Sequence, residues 1–152
     1  MALPLGPGHR IPKISLASTE GRNISLEDYV GKKNVVLYFY PEDDSPGCTK
    51  EACAFRDSLQ MYETAETVVL GVSTDSLEKH KAFREKHALP FPLLSDTDAV
   101  MTRWFGVFDE RNHEAKRATF LIGKDGIIKK VWENVRVDNH SAEVLNELKQ
   151  PR

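Results

Sequence analysis

An unbroken apolar run, Val35–Tyr40, stops at Pro41 and gives way to Glu42-Asp43-Asp44 and then to Ser45-Pro46-Gly47-Cys48. The run is rich in β-branched and aromatic residues and does not alternate with polar ones. It predicts a strand buried on both faces. The stretch from Ser45 to Cys48 predicts a helix start. Ser45 suits an N-cap, its hydroxyl accepting from an amide three residues on. Pro46 suits the first helical position, where its missing N–H costs nothing. Cys48 then falls at the third helical position. A buried strand running into a helix through a short acidic turn constrains the chain to a layered α/β fold. In such folds chemistry gathers beyond the carboxyl ends of the strands, where Cys48 falls.

The remaining pattern supports that class. Ile14–Leu16 and Asn23–Leu26 flank Ser18-Thr19-Glu20-Gly21 and predict an N-terminal hairpin. Cys48–Glu63 carries Ala52, Phe55, Leu59 and Tyr62 at helical spacing. Thr67–Val72 reads as a second buried strand. Asp75–Ala88 reads as a charged helix capped by Ser73, Thr74 or Asp75. Phe91–Leu94 reads as a short strand and Asp98–Phe105 as a helix. Ala118–Ile122 and Ile127–Trp132 predict a hairpin around Lys124-Asp125-Gly126, and Ser141–Lys149 a last helix. The expectation is one α/β domain over residues 1–152, with a mixed central β-sheet flanked by helices.

Composition narrows the function. The chain has 152 residues, 40% hydrophobic and 29% charged, with a net charge of -2. That suits one soluble domain with a real core, and no basic stripe points to nucleic acid. No apolar stretch reaches the roughly 20 residues a membrane helix needs. The N-terminus lacks the charged and apolar regions of a signal peptide. Two cysteines are too few for a disulfide scaffold, so a reducing cytoplasm with reactive thiols is expected.

Cys48 is the candidate chemical residue. A thiol at a helix N-terminus sits near free backbone donors and the positive end of the dipole, and both favour the thiolate. The apolar stripe extends back to position 48, so Cys48 should point into the domain. Cys53 falls on a more polar face with Arg56, Asp57 and Gln60. Five helical residues give ~7.5 Å of rise and roughly 140° of rotation, beyond the ~7 Å Cα separation a disulfide tolerates. The two sulfurs can therefore bond only if the first turns unwind. The bland alternative makes both cysteines small buried hydrophobes. A metal site is weaker, because His9, His80, His87, His113 and His140 show no zinc-type spacing.

Pro41-x-x-x-Ser45-x-x-Cys48 resembles the active-site motif of the peroxiredoxins. The run Tyr40–Asp57, YPEDDSPGCTKEACAFRD, is similar to the subfamily called peroxiredoxin Q, or bacterioferritin comigratory protein. Gly31-Lys32-Lys33, Ser73–Phe83, Leu89–Asp96 and Arg117–Gly126 carry the resemblance over most of the chain. It implies a thioredoxin-like fold and a thiol peroxidase acting on hydrogen peroxide or organic hydroperoxides. Cys48 would be the peroxidatic cysteine and Cys53 the resolving one. Pro41 would shield the pocket, Ser45 would hydrogen-bond thiolate and peroxide, and Arg117 would be the active-site arginine. The implied partner is thioredoxin or a similar dithiol. No cofactor is implied, and a monomer or weak dimer is expected. Two departures bear on substrate preference: Ser45 replaces the commoner Thr, and Phe108–Lys116 is short and polar.

Rival readings remain at this stage. A dithiol–disulfide oxidoreductase on the same fold would usually carry C-x-x-C, whereas four residues intervene here. A copper-delivery protein would use soft thiolates but lacks an evident third ligand. Among other residues, Asp43 and Asp44 read as solvated turn residues and His80 and His87 as surface positions. The charge run Glu78–Lys86 reads as an exposed helix face. Trp104, Phe105 and Trp132 read as core. Taken by itself, Arg117 reads as a plain surface strand residue.

Overall fold

The computed structural model of the chain describes residues 5–149. The expected domain of residues 1–152 extends beyond them, since residues 1–4 and 150–152 lie outside the described part.

In chain order the elements are β1 (Ser15–Ser18), β2 (Asn23–Ser25), β3 (Asn34–Phe39), α1 (Pro46–Asp57), α2 (Leu59–Thr64), β4 (Thr67–Ser73), α3 (Leu77–His87), β5 (Leu93–Ser95), α4 (Val100–Trp104), β6 (Phe108–Asp109), β7 (Glu114–Ala115), β8 (Ala118–Ile122), β9 (Ile128–Trp132) and α5 (His140–Leu148). Among the described residues seven strands form one sheet, in the order β2-β1-β5-β4-β3-β8-β9. β3 and β5 run parallel to β4. β8 runs antiparallel to β3, β9 to β8, and the β1–β2 hairpin joins the other side through β5. The sheet is therefore mixed, with the N-terminal hairpin the sequence predicts.

Strand side chains alternate between faces, and β3 divides two cores. Val35, Leu37 and Phe39 pack with Met101 and Phe105 around α4. Val36, Tyr38 and Tyr40 pack with Cys48, Ala52 and Phe55 of α1, Tyr62 of α2, Phe83 of α3 and Val144 of α5. β3 is thus buried on both sides, as its unbroken apolar run requires.

Several boundaries differ from the sequence reading, each for a local reason. The expected helix over Cys48–Glu63 breaks at Ser58, with φ -103° and ψ 2°. The apolar stripe continues across the break, so periodicity alone does not reveal it. α3 is capped by Ser76, whose hydroxyl accepts from the Lys79 amide. Ser73 and Asp75 bond each other instead. β5 starts after Pro92, which has no N–H to give a ladder. α4 is shorter than expected because the Asp96 carboxylate takes the amides of Val100 and Thr102 and fixes where the helix begins. Phe105 is buried as expected, while Trp104 and Trp132 are only partly buried against the two cores.

Candidate active site

Cys48 lies in the first turn of α1, just past the carboxyl end of β3. Its side chain faces the sheet and is 1% exposed. It shares one face with Ala52 and Phe55, as positions i, i+4 and i+7 must. Cys53 is half-buried, and both thiols are free.

Sheet register brings Arg117 to this sulfur. β8 pairs with β3 so that Ala118 stands opposite Phe39. Arg117 immediately precedes β8 and so lies beside the end of β3. Alternation gives Arg117 the same face as Leu121, which packs in the α1-side core. Its Nη2 donates to Cys48 Sγ at 3.2 Å and its Nη1 to Glu51 Oε1 at 2.7 Å. Gly47 permits the approach: a Cβ there would stand 3.1 Å from Arg117 Nη2. From sequence alone Arg117 reads as a surface strand residue. The structure puts it half-buried against the thiol.

Glu51 is the partner that sequence reasoning missed. It is 1% exposed and sits three residues after Cys48, one turn along the same face. A polar residue at i+3 on an apolar stripe is the signal that could have found it. Burial drives its carboxyl up to about 7, against the pull of Arg117. Its Oε2 has no hydrogen-bond partner among the described residues. For Arg117, burial works against the charge, but Glu51 and then Cys48 outweigh it and raise the guanidinium above its ordinary value. One permanent cation thus serves a thiol and a buried carboxyl at once.

Ser45 holds the backbone geometry of an N-cap but makes no side-chain cap. Its hydroxyl donates to the Glu42 carbonyl at 3.1 Å instead, so it does not take up the amide of Cys48. Pro46 occupies the helix start as expected, and Pro41 is half-buried at the end of β3.

The acidic turn departs most from expectation. Asp43 is buried rather than solvated, and so is His80. Asp43 Oδ2 lies 2.6 Å from His80 Nδ1, and Tyr40 donates to Asp43 Oδ1 at 2.6 Å. The reason is spacing. With α3 capped at Ser76, His80 and Phe83 share the inward face of the helix. Asp44 remains exposed, and His87 is only partly so. Asp43, Asp75 and His80 bring three metal-ligating atoms within 4.8 Å of one another. Those atoms already bond protein groups: His80 meets Asp43, and Asp75 takes the Asp43 amide and the Ser73 hydroxyl. The set is internally satisfied.

The AhpC/TSA family matches residues 7–131. The chain belongs to that family, in its peroxiredoxin Bcp branch. Peroxiredoxin Bcp of Bacillus subtilis is 45% identical over 148 residues, covering 93% of this chain and 94% of the relative. The crystal structure of peroxidoxin BcpB from Mycobacterium tuberculosis superposes with a TM-score of 0.91 at 32% identity, covering 97% of this chain and 99% of that one. A Xanthomonas campestris bacterioferritin comigratory protein, described for alkyl peroxide reduction, gives a TM-score of 0.84 at 35% identity over 90% of each chain. This peroxiredoxin is therefore a thiol peroxidase on the thioredoxin-like fold that the sequence implied. Among the described residues, no helix is long and apolar enough to cross a membrane.

Proposed function

We propose that Cys48 reduces hydrogen peroxide and organic hydroperoxides, that Cys53 resolves the product, and that thioredoxin or a similar dithiol restores both thiols. The Cys48 thiolate attacks one peroxide oxygen and the O–O bond breaks. The sulfur keeps that oxygen as a sulfenic acid, and the other oxygen departs as an alkoxide or hydroxide that takes up a proton. Cys53 then attacks the oxidised sulfur, water leaves, and a disulfide forms. Exchange with an external dithiol returns two thiols and leaves that partner oxidised.

One observation carries this reading: Arg117 Nη2 stands 3.2 Å from Cys48 Sγ. A guanidinium there orients the sulfur and supplies a donor for charge developing on the departing oxygen. In this reading Ser45 turns its hydroxyl to the peroxide and Pro41 shields the pocket from water. The enzyme works in the cytoplasm as a monomer or weak dimer without a cofactor.

Stopped-flow oxidation of the wild type, Cys48→Ser and Cys53→Ser tests the assignment. Cys48→Ser should be inert. Cys53→Ser should consume one equivalent of peroxide and stop as a sulfenic acid. Full turnover by Cys48→Ser would reverse the roles.

A further inference from the structure

Between Pro41 and Ser45 stand three consecutive acids, and each pairs with a base on α3. Glu42 Oε2 meets Lys79 Nζ at 2.9 Å. Asp43 Oδ2 meets His80 Nδ1 at 2.6 Å. Asp44 meets Lys86 Nζ at 2.8 Å and His87 Nε2 at 3.2 Å. The turn and the helix each look like an isolated charge run in sequence. In the fold they are two halves of one seam.

The buried pair is its centre. His80 and Asp43 side chains are both 0% exposed. His80 Nε2 lies 2.8 Å from the Leu94 carbonyl, so both ring nitrogens of this buried side chain have a polar partner. The Asp43 amide also donates to Asp75 at 2.8 Å. One loop residue is therefore fastened to the end of β3 through Tyr40, to the end of β4 through Asp75, and to α3 through His80. The neighbouring Asp44 holds a left-handed backbone, with φ 66°, which aspartate adopts more readily than most residues with a Cβ. Ser45 hangs from the same loop, through its bond to the Glu42 carbonyl.

We propose that the basic edge of α3 (Lys79, His80, Lys86 and His87) is a positioning element for peroxide reduction. It holds Glu42–Asp44 down, keeps Ser45 and the first turn of α1 where Arg117 meets Cys48, and limits how often Cys48 swings out toward Cys53. The inference rests on the peroxidase reading above for its kinetic consequences and on geometry alone for the tether. Its two layers differ in strength. The exposed pairs are individually weak and sensitive to salt. The Asp43–His80 bond is shielded, and losing one partner leaves a buried polar group unsatisfied.

The test uses the full chain. His80→Phe removes the buried bond, while Lys79→Gln with Lys86→Gln removes only exposed charge. Amide exchange is followed in reduced, peroxide-free protein. His80→Phe should speed exchange in the first turns of α1 roughly tenfold or more and leave β3 and β4 protected. The lysine pair should do the same by roughly twofold. About 1 M NaCl should mimic the lysine pair in wild type and add nothing to it. Stopped-flow kinetics then track both steps. Oxidation of Cys48 should slow while disulfide formation with Cys53 quickens. Movement in opposite directions separates a positioning role from general loss of fold. Unchanged α1 exchange in every variant, or a parallel slowing of both steps, would overturn the proposal. If His80→Phe does not fold, the lysine pair and the salt series decide. A wild type that consumes no peroxide sinks the peroxidase reading, while the exchange data still judge the tether.

Discussion

Cys48 and Glu51 stand one turn apart on α1 and share a single guanidinium, Arg117. Two groups that can each become anions are buried side by side with one cation between them. Much of this site's behaviour should stem from that ratio.

Arg117→Lys should lower the rate constant for peroxide by roughly 100- to 1,000-fold, the range for removing one directed donor from a reacting centre. An ammonium cannot span Cys48 and Glu51 as the planar fork does. Second-order rates of thiol loss check this. A decrease under threefold would show that the guanidinium is dispensable.

Glu51 gives a pH dependence of stability with a defined sign. In an unfolded chain a glutamate loses its proton near 4.5. In the fold, burial holds that proton to about 7. Between those values the folded state binds more protons, so stability falls as pH rises. The total comes to about 3 kcal/mol, absent below pH 4 and fully expressed above pH 7. Glu51→Gln should flatten that part of the curve. Urea midpoints from pH 4 to 8 for both proteins, in a Cys48→Ser background, give the comparison. Parallel curves would mean that Glu51 holds its proton no more tightly in the fold than in the unfolded chain.

Gly47→Ala separates helix stability from reactivity. Gly47 has no positive φ, and alanine is the better helix former. The melting temperature should hold or rise slightly. The new Cβ, 3.1 Å from Arg117 Nη2, should push the guanidinium off the sulfur and slow peroxide reduction roughly tenfold. Unchanged kinetics would show that Arg117 tolerates the displacement.

Disulfide formation should melt part of α1. Cys48 lies inside and Cys53 on another side of the same helix, too far apart along it for an S–S bond. One equivalent of peroxide should lower the far-ultraviolet helix signal and expose the amides of residues 46–57 to exchange. Cys53→Ser should show neither change. A disulfide formed with the helix intact would contradict the geometry.

The central strands were legible because a buried strand writes its burial into consecutive residues, as Val35–Tyr40 and Thr67–Val72 do, whereas β6 and β7 are two residues each and too short to show a period. Cys48 was legible because Ser-Pro-Gly-Cys after such a strand has few other uses. Arg117 was not legible from its neighbours, because its place depends on the register of β8 on β3; the family resemblance supplied it. The Asp43–His80 bond joins residues 37 apart, and pairing at that distance leaves no local period to read. Glu51 was within reach of the stripe argument, as the one polar interruption on the buried face of the first turns.

The break at Ser58 has a consequence for how oxidation spreads. An unravelling front that starts at Cys48 meets a natural stop at the end of a twelve-residue helix. Tyr62, on the next helix, is bonded to Ser141 of α5 and is independent of α1 in that contact. Unwinding confined to that helix would release Ala52 and Phe55 from one core and leave the core on the other face of β3 packed.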